Sequence, residues 1–233
     1  MIHEIIEKND FFHCYQHLYK LKCMSAIGAE LLLRTEMGNP EFIFQLAREE
    51  NKLFELDTKS IDRAFQTFFS QQEIVGLLFS NIFPSTILHP NFPSFVAYLL
   101  EHYPNLSKNV VFEIIETEKV DDEEKLKEKV QFLKKWGFQI AVDDVGKGWS
   151  SLCLIIELEP DFIKLDRYFS IDLANSAKKQ KMIKLLLHFF EDTDTKMILE
   201  GIETSSDLRM AQSLGIHFCQ GYLLSKPMPL IVV

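Results

Sequence analysis

Phe138-Gln139-Ile140-Ala141-Val142-Asp143-Asp144-Val145-Gly146-Lys147-Gly148-Trp149-Ser150-Ser151 decides how this chain is read, because a short apolar run delivers two adjacent carboxylates into a loop with two glycines. Phe138 to Val142 is too short for a helix and follows Gly137, so it reads as a buried strand. Side chains alternate along a strand, so Asp143 and Asp144 start on opposite sides and reach one cation together only where the backbone leaves sheet geometry. Gly146 and Gly148 supply that freedom. A plain surface turn has the same composition, since Asp and Gly are common turn residues. The choice between the two rests on the rest of the chain.

Working outward, 233 residues with 47% hydrophobic content can bury an extensive core. No Gly/Ser linker, low-complexity tract or repeat divides them, so residues 1–233 read as one domain. The formal charge of −9 argues against a DNA or RNA polymer as partner, because a polyphosphate backbone needs a basic stripe. Cys14, Cys23, Cys153 and Cys219 form no C-x-x-C pair and fit reduced, mostly buried thiols in a cytoplasmic protein. The seven histidines do not cluster, which speaks against zinc. Met1 to Lys8 lacks the basic start and apolar core of a secretory signal, and no run reaches membrane-spanning length.

Short apolar runs alternate with helical stretches throughout. Strands are expected at Phe11 to Tyr19, Cys23 to Arg34, Ile74 to Phe79, Asn109 to Phe112, Phe162 to Lys164, Lys196 to Leu199 and Ile216 to Cys219, besides the central run. Helices are expected at Pro40 to Glu50 behind an Asn39 cap, Phe54 to Phe69, Pro93 to Tyr103, Asp121 to Lys135, Leu173 to Phe190 and Ser206 to Leu214. Leu152 to Ile156 reads as a short helix or turn, and Phe132, Leu133 and Trp136 as core contacts. The alternation predicts a parallel α/β architecture close in count to an eight-stranded barrel; no G-x-G-x-x-G or phosphate loop supports the rival open sheet.

Nearly every expected strand ends in a residue suited to metal or phosphate chemistry: Glu30, Asn81, Glu113, Asp143 with Asp144, Lys164, Glu200 and Gln220. In a barrel these ends converge on one face. A single strand-terminal carboxylate is commonly a cap or a solvated turn, but so many in register are harder to explain that way. Glu30, Glu113, Asp143, Asp144 and Glu200 would repel one another unless cations offset them. An all-oxygen set points to Mg²⁺ or Mn²⁺, two ions, and to phosphoryl hydrolysis by activation of water.

These residues carry a resemblance. Gly28-Ala29-Glu30-Leu31-Leu32-Leu33-Arg34 resembles the motif that names the EAL-domain cyclic-di-GMP phosphodiesterases, with Leu31 where alanine is usual. Ser80-Asn81-Ile82 resembles the family's asparagine motif, and Glu113-Ile114-Ile115-Glu116 its E-x-x-E. Asp143 to Gly148 is similar to D-D-F-G-T-G, Ile163 to Asp166 to K-I-D, Glu200 to Thr204 to E-G-V-E-T, and Gln220 to Tyr222 to Q-G-Y. The resemblance covers nearly the whole chain.

It implies a modified TIM (β/α)8 barrel with one antiparallel strand, hydrolysing cyclic di-GMP to linear pGpG with two Mg²⁺ or Mn²⁺ ions. By resemblance, Glu30, Asn81, Glu113 and Asp143 hold one metal, and Asp143, Asp144 and Glu200 the other. Lys164 positions the nucleophilic water, Glu116 braces the central loop, Arg34 pairs with a ligand phosphate, and Glu203, Gln220 and Asp166 complete the ligand pocket. Val145 and Lys147 replace the usual phenylalanine and threonine, and His17 replaces a proline at an expected pocket edge. The final outer helix is expected to be missing or very short. A homodimer through the loop around 145–156 is expected, with Trp149 and Leu152 to Ile156 at its interface. The competing expectation is a non-catalytic EAL-like receptor or protein-binding regulator, a class that usually loses metal ligands retained here.

Overall fold

The computed structural model describes residues 1–70, 76–104, 106–115, 118, 122–146 and 151–230. In chain order come α1 (Ile2–Lys8), β1 (Phe12–Lys20), β2 (Ser25–Arg34), α2 (Pro40–Glu49), α3 (Leu53–Ser70) and β3 (Leu77–Ile82). They are followed by α4 (Pro84–Leu88), α5 (Phe92–His102), β4 (Val110–Ile114), α6 (Glu123–Lys135), β5 (Gln139–Val145) and α7 (Ser151–Leu158). The last third holds β6 (Phe162–Leu165), α8 (Arg167–Ser170), α9 (Ala177–Phe189), β7 (Lys196–Leu199), α10 (Ser205–Leu214), β8 (Phe218–Cys219) and β9 (Met228–Pro229).

The strands form a closed barrel: β2 to β8 run in sequence order with parallel neighbours, and β1 closes the ring antiparallel to both β2 and β8. The expected (β/α)8 barrel with one reversed strand is therefore what forms. A ninth strand that the sequence does not announce, β9, pairs antiparallel to β1, with Cys14 opposite Pro229.

Helix boundaries follow local chemistry. The Asn39 side chain accepts the Glu41 amide at 3.0 Å with Pro40 in the first turn of α2. Asp122 does the same for Lys125 at α6, and Thr204 for Asp207 at α10, which Gly215 ends in the left-handed region at φ 86°. The apolar residues of the outer layer, among them Phe65, Phe112, Leu133 and Ile163, pack barrel against helices.

Several expectations need correction. The third strand spans Leu77–Ile82 rather than Ile74 to Phe79, entered through Gly76 at φ 127°, so Asn81 lies inside it; Ile74 and Val75 fall outside the described residues. The helix expected from Leu173 starts at Ala177, after a separate 3-10 turn at Leu173–Asn175. Asp121 is outside the described residues, and α6 begins at Glu123. Trp136 is 52% exposed and is no core contact, because it caps the end of α6 rather than lying on its buried face. Cys14 and Cys219 are buried, but Cys23 and Cys153 are exposed; all four are free thiols. Among the described residues no helix is long and apolar enough to cross a membrane.

Inside the barrel the period-two alternation of strands produces two layers. Leu18, Phe79, Val111, Ala141, Phe162 and Ile198 form one buried apolar cluster. Two residues farther along the parallel strands, hence on the same face, stand Asn81, Glu113, Asp143, Lys164 and Glu200. On reversed β1 the corresponding step runs backwards, from Leu18 to Gln16, which is paired in register with Glu30.

Candidate active site

Lys164 is the hub of the polar layer. It is fully buried, and its Nζ lies 2.7 Å from Glu113 Oε1, 2.8 Å from Glu200 Oε1, 3.3 Å from Asp143 Oδ1 and 3.4 Å from Glu30 Oε2. Burial works to lower its pKa, but the surrounding carboxylates of Asp143, Glu113, Glu200 and Glu30 outweigh it and hold the ammonium charged. One cation cannot satisfy four carboxylates. Burial, aided by the charges of Asp143 and Glu30 and opposed by Lys164, pushes Glu200 up to about 8. Burial and the Glu30 charge hold Glu113 well above the usual carboxylate range, and burial also raises Asp143. Glu30 goes the other way: burial acts to raise it, yet Lys164 and the amides of Gln220 and Asn81 hold it down.

The amides orient that carboxylate. Gln220 Nε2 donates to Glu30 Oε2 at 2.8 Å and to Gln16 Oε1 at 3.0 Å, while Asn81 Nδ2 donates to Glu30 Oε1 at 3.3 Å. Gln16 in turn donates to the Ser225 carbonyl at 2.8 Å. Sequence reading missed Gln16, although a polar residue in the apolar alternation of β1, two positions from Leu18, was a usable signal.

Asp144 shows how adjacent aspartates come to share a site. Its φ is 56°, in the left-handed region, and the β5–β6 pairing slips between Val142 and Val145. The departure from sheet geometry thus begins at Asp144 itself, before Gly146, rather than at the glycines. Gly146 has its own reason: at φ 106° a Cβ there would stand 2.4 Å from the Phe169 ring. The Asp144 amide donates to Asp143 Oδ1 at 2.8 Å. As a result, ligand oxygens of Asp143, Asp144 and Glu200 all lie within 4.8 Å of one another.

This donor set fits divalent cations. It is all oxygen and short of positive charge, and Glu113 Oε2 is buried without a hydrogen-bond partner among the described residues. Two cavities flank the carboxylates and share Leu32 and Asp144. One of about 870 Å³ reaches Arg34, Asn81 and Asp143; another of about 230 Å³ is lined by Glu30, Asp166, Glu200, Glu203 and Gln220. Arg34 spends one guanidinium nitrogen on the Leu33 carbonyl at 2.8 Å. Glu203 pairs with Arg167 at 3.3 Å on the exposed rim, and buried Asp166 accepts the Tyr168 amide at 2.9 Å at the start of α8.

Glu116, Lys147 and Trp149 lie outside the described residues. His17 does not edge either cavity: it packs between Tyr15 and Tyr19, at 5.4 and 6.2 Å, because Gln16 takes the inward position. Val145 is buried in the outer core and pairs with Leu165.

The family model of the EAL domain matches residues 1–227. The chain belongs to the EAL domain family. Among curated relatives, it is 25% identical to the cyclic di-GMP phosphodiesterase PdeF of Escherichia coli over 99% of this chain and 32% of PdeF. It is 30% identical to the cyclic di-GMP phosphodiesterase PdeA of Borreliella burgdorferi over 96% of this chain and 34% of PdeA. The chain thus spans about a third of the length of these relatives. In fold, the EAL domain is similar to the calcium and cyclic-di-GMP complex of Klebsiella pneumoniae BlrP1, with a TM-score of 0.86 and 25% identity over 96% of this chain and 57% of that one.

Proposed function

We propose that this EAL domain is a metal-dependent phosphodiesterase that hydrolyses cyclic di-GMP to linear pGpG. The observation that carries the reading is the cluster of Glu30, Glu113, Asp143 and Glu200 around the single ammonium of Lys164, with Asp144 alongside. A buried arrangement so short of positive charge is costly unless it binds cations. Its relatives PdeF and PdeA are cyclic di-GMP phosphodiesterases, which supplies the substrate.

In this reading Glu30, Asn81, Glu113 and Asp143 hold one Mg²⁺ or Mn²⁺, and Asp143, Asp144 and Glu200 the second. When bound, such ions activate water and stabilise the oxygens whose charge changes during phosphodiester cleavage. The chain's own residues do the rest. Gln220 and Asn81 fix the Glu30 carboxylate from both of its oxygens. Lys164 offsets charge, keeps Glu113 and Glu200 aimed inward and helps position the attacking water. Arg34, anchored on its own backbone, presents its remaining N–H groups to a ligand phosphate, for which a guanidinium fork is suited. Glu203, Gln220 and Asp166 line the ligand's other side. Water's oxygen bonds to phosphorus, the P–O3′ bond breaks, and water's proton ends on the leaving 3′ oxygen, leaving a 5′-phosphate as in pGpG.

The same reading places the protein in the cytoplasm as a homodimer, associating through the 145–156 region. Leu152 and Ile156 on α7 are 61% and 58% exposed, one turn apart, an apolar edge suited to a second copy. The deciding assay incubates purified protein with cyclic di-GMP and Mg²⁺ or Mn²⁺ and separates the products. Linear pGpG is expected, absent in excess chelator and absent for Glu30→Ala. Cyclic di-GMP that binds but stays intact with either ion would make the domain a receptor instead.

A further inference from the structure

Outside the barrel lies a buried carboxylate that the proposed chemistry does not use. Asp57 sits in the second turn of α3 at 2% exposure, and among the described residues no Lys, Arg or His stands within ion-pair range of it. Burying a lone carboxylate is costly, so its hydrogen bonds matter. Its Oδ2 accepts the backbone amide of Phe83 at 3.1 Å. Burial pushes its pKa up to about 7, with the Phe83 amide offsetting part of that rise.

Phe83 is the residue from which α4 starts, two positions after Asn81. The segment between is held at several points. Asn81 pairs in register with Glu113, and the Ile82 carbonyl accepts the Ile115 amide at 3.4 Å. Pro84 has no amide to contribute, so the next donors are Phe83, taken by Asp57, and Ser85, taken by Glu118 Oε2 at 2.7 Å. Two carboxylates from two different elements therefore pin the turn that follows Asn81. They are not equivalent: Glu118 also pairs with half-exposed Arg48 at 3.0 Å, whereas Asp57 is buried and has no cationic partner among the described residues. Asp57 and Asn81 also line the same 870 Å³ cavity.

We infer that Asp57 is a positioning residue: by fixing the turn after β3, its carboxylate holds the Asn81 amide against Glu30. The inference rests on the proposed metal site, in which Asn81 and Glu30 serve the same ion. Losing the clamp frees the Phe83 amide to seek another partner and shifts the backbone that carries Asn81. The consequence is weaker metal binding, not loss of the fold.

Asp57→Ala, Asp57→Asn and Phe68→Ala are compared with wild type. Asp57→Asn keeps an acceptor oxygen for Phe83; Phe68→Ala removes a buried ring about three turns farther along α3 and serves as a destabilised control. Mn²⁺ affinity is read by electron paramagnetic resonance, and amide exchange across Leu77 to Leu88 is measured without metal. Asp57→Ala is expected to bind Mn²⁺ about tenfold more weakly, the low end for residues that orient metal ligands. Its exchange at Phe83 and neighbouring amides is faster, Asp57→Asn recovers most of both, and Phe68→Ala keeps wild-type Mn²⁺ affinity. Unchanged affinity in Asp57→Ala, or an equal loss in Phe68→Ala, overturns the inference while leaving the metal reading intact. A wild-type protein that takes up no Mn²⁺ overturns both.

Discussion

The two layers inside the barrel are built by the same strands, two residues apart, yet they obey opposite rules. In the lower layer Leu18, Phe79, Val111, Ala141, Phe162 and Ile198 exclude water and need nothing but one another. In the upper layer Glu30, Glu113, Asp143 and Glu200 crowd one ammonium. The lower layer stabilises the barrel and the upper one spends stability on a function, with the rigid strands beneath keeping the carboxylates from moving apart. The comparison teaches where the site's precision comes from: Glu113, Asp143, Lys164 and Glu200 each follow, two residues on, a packed apolar neighbour of the lower layer, while Glu30, which follows Gly28, is fixed by the Gln220 and Asn81 amides instead.

The sharpest way to break the comparison is Lys164→Met. With four carboxylates left without their buried cation, unfolding free energy in metal-free buffer should fall by about 3–5 kcal/mol, and hydrolysis should be lost. Denaturant melts beside the product assay check this; a variant as stable as wild type means that the upper layer is not held by Lys164. A smaller effect should come from the lower layer. Ile198→Val, two residues before Glu200, should cost about 0.5–1.5 kcal/mol and leave kcat close to wild type, because it trims packing without turning the strand. A large fall in kcat with unchanged stability would show that the layers are not separable in this way.

Much of this was legible in the sequence, for a physical reason. Parallel strands buried on both faces read as short apolar runs, and a functional residue at each C-terminal end breaks the run at a predictable place, as at Glu113, Lys164 and Glu200. What escaped was structure fixed by distant partners. The helix α1 is only two turns long, and its Ile2, Ile5 and Ile6 make sense only against Phe11, Leu33 and Ile43. The strand β9 consists of Met228 and Pro229 and exists only because β1 offers it an edge. Likewise, Asp57 looks like an ordinary solvent-side residue of a helix until its Phe83 partner is seen. The resemblance gives Lys164 the tasks of positioning the nucleophilic water and offsetting its charge, but no spacing reveals that four carboxylates meet it.

The central claim, that the upper layer is a divalent-cation site, is tested most directly by the pH dependence of Mn²⁺ stabilisation. In metal-free protein the raised pKa of Glu200, up to about 8 from an ordinary value of 4.5, stabilises the fold fully below 4.5. That contribution is lost as pH rises through about 8, where the carboxylate must ionise beside Asp143 and Glu30 with only the shared Lys164 ammonium to offset it. Mn²⁺ should bind the ionised form, so binding releases protons and strengthens as pH rises through this window. Thermal unfolding at a fixed Mn²⁺ concentration, scanned from acid to mildly alkaline pH beside metal-free samples, should show a Tm increase that grows with pH. A shift that is absent at every pH, or that shrinks as pH rises, would contradict the account.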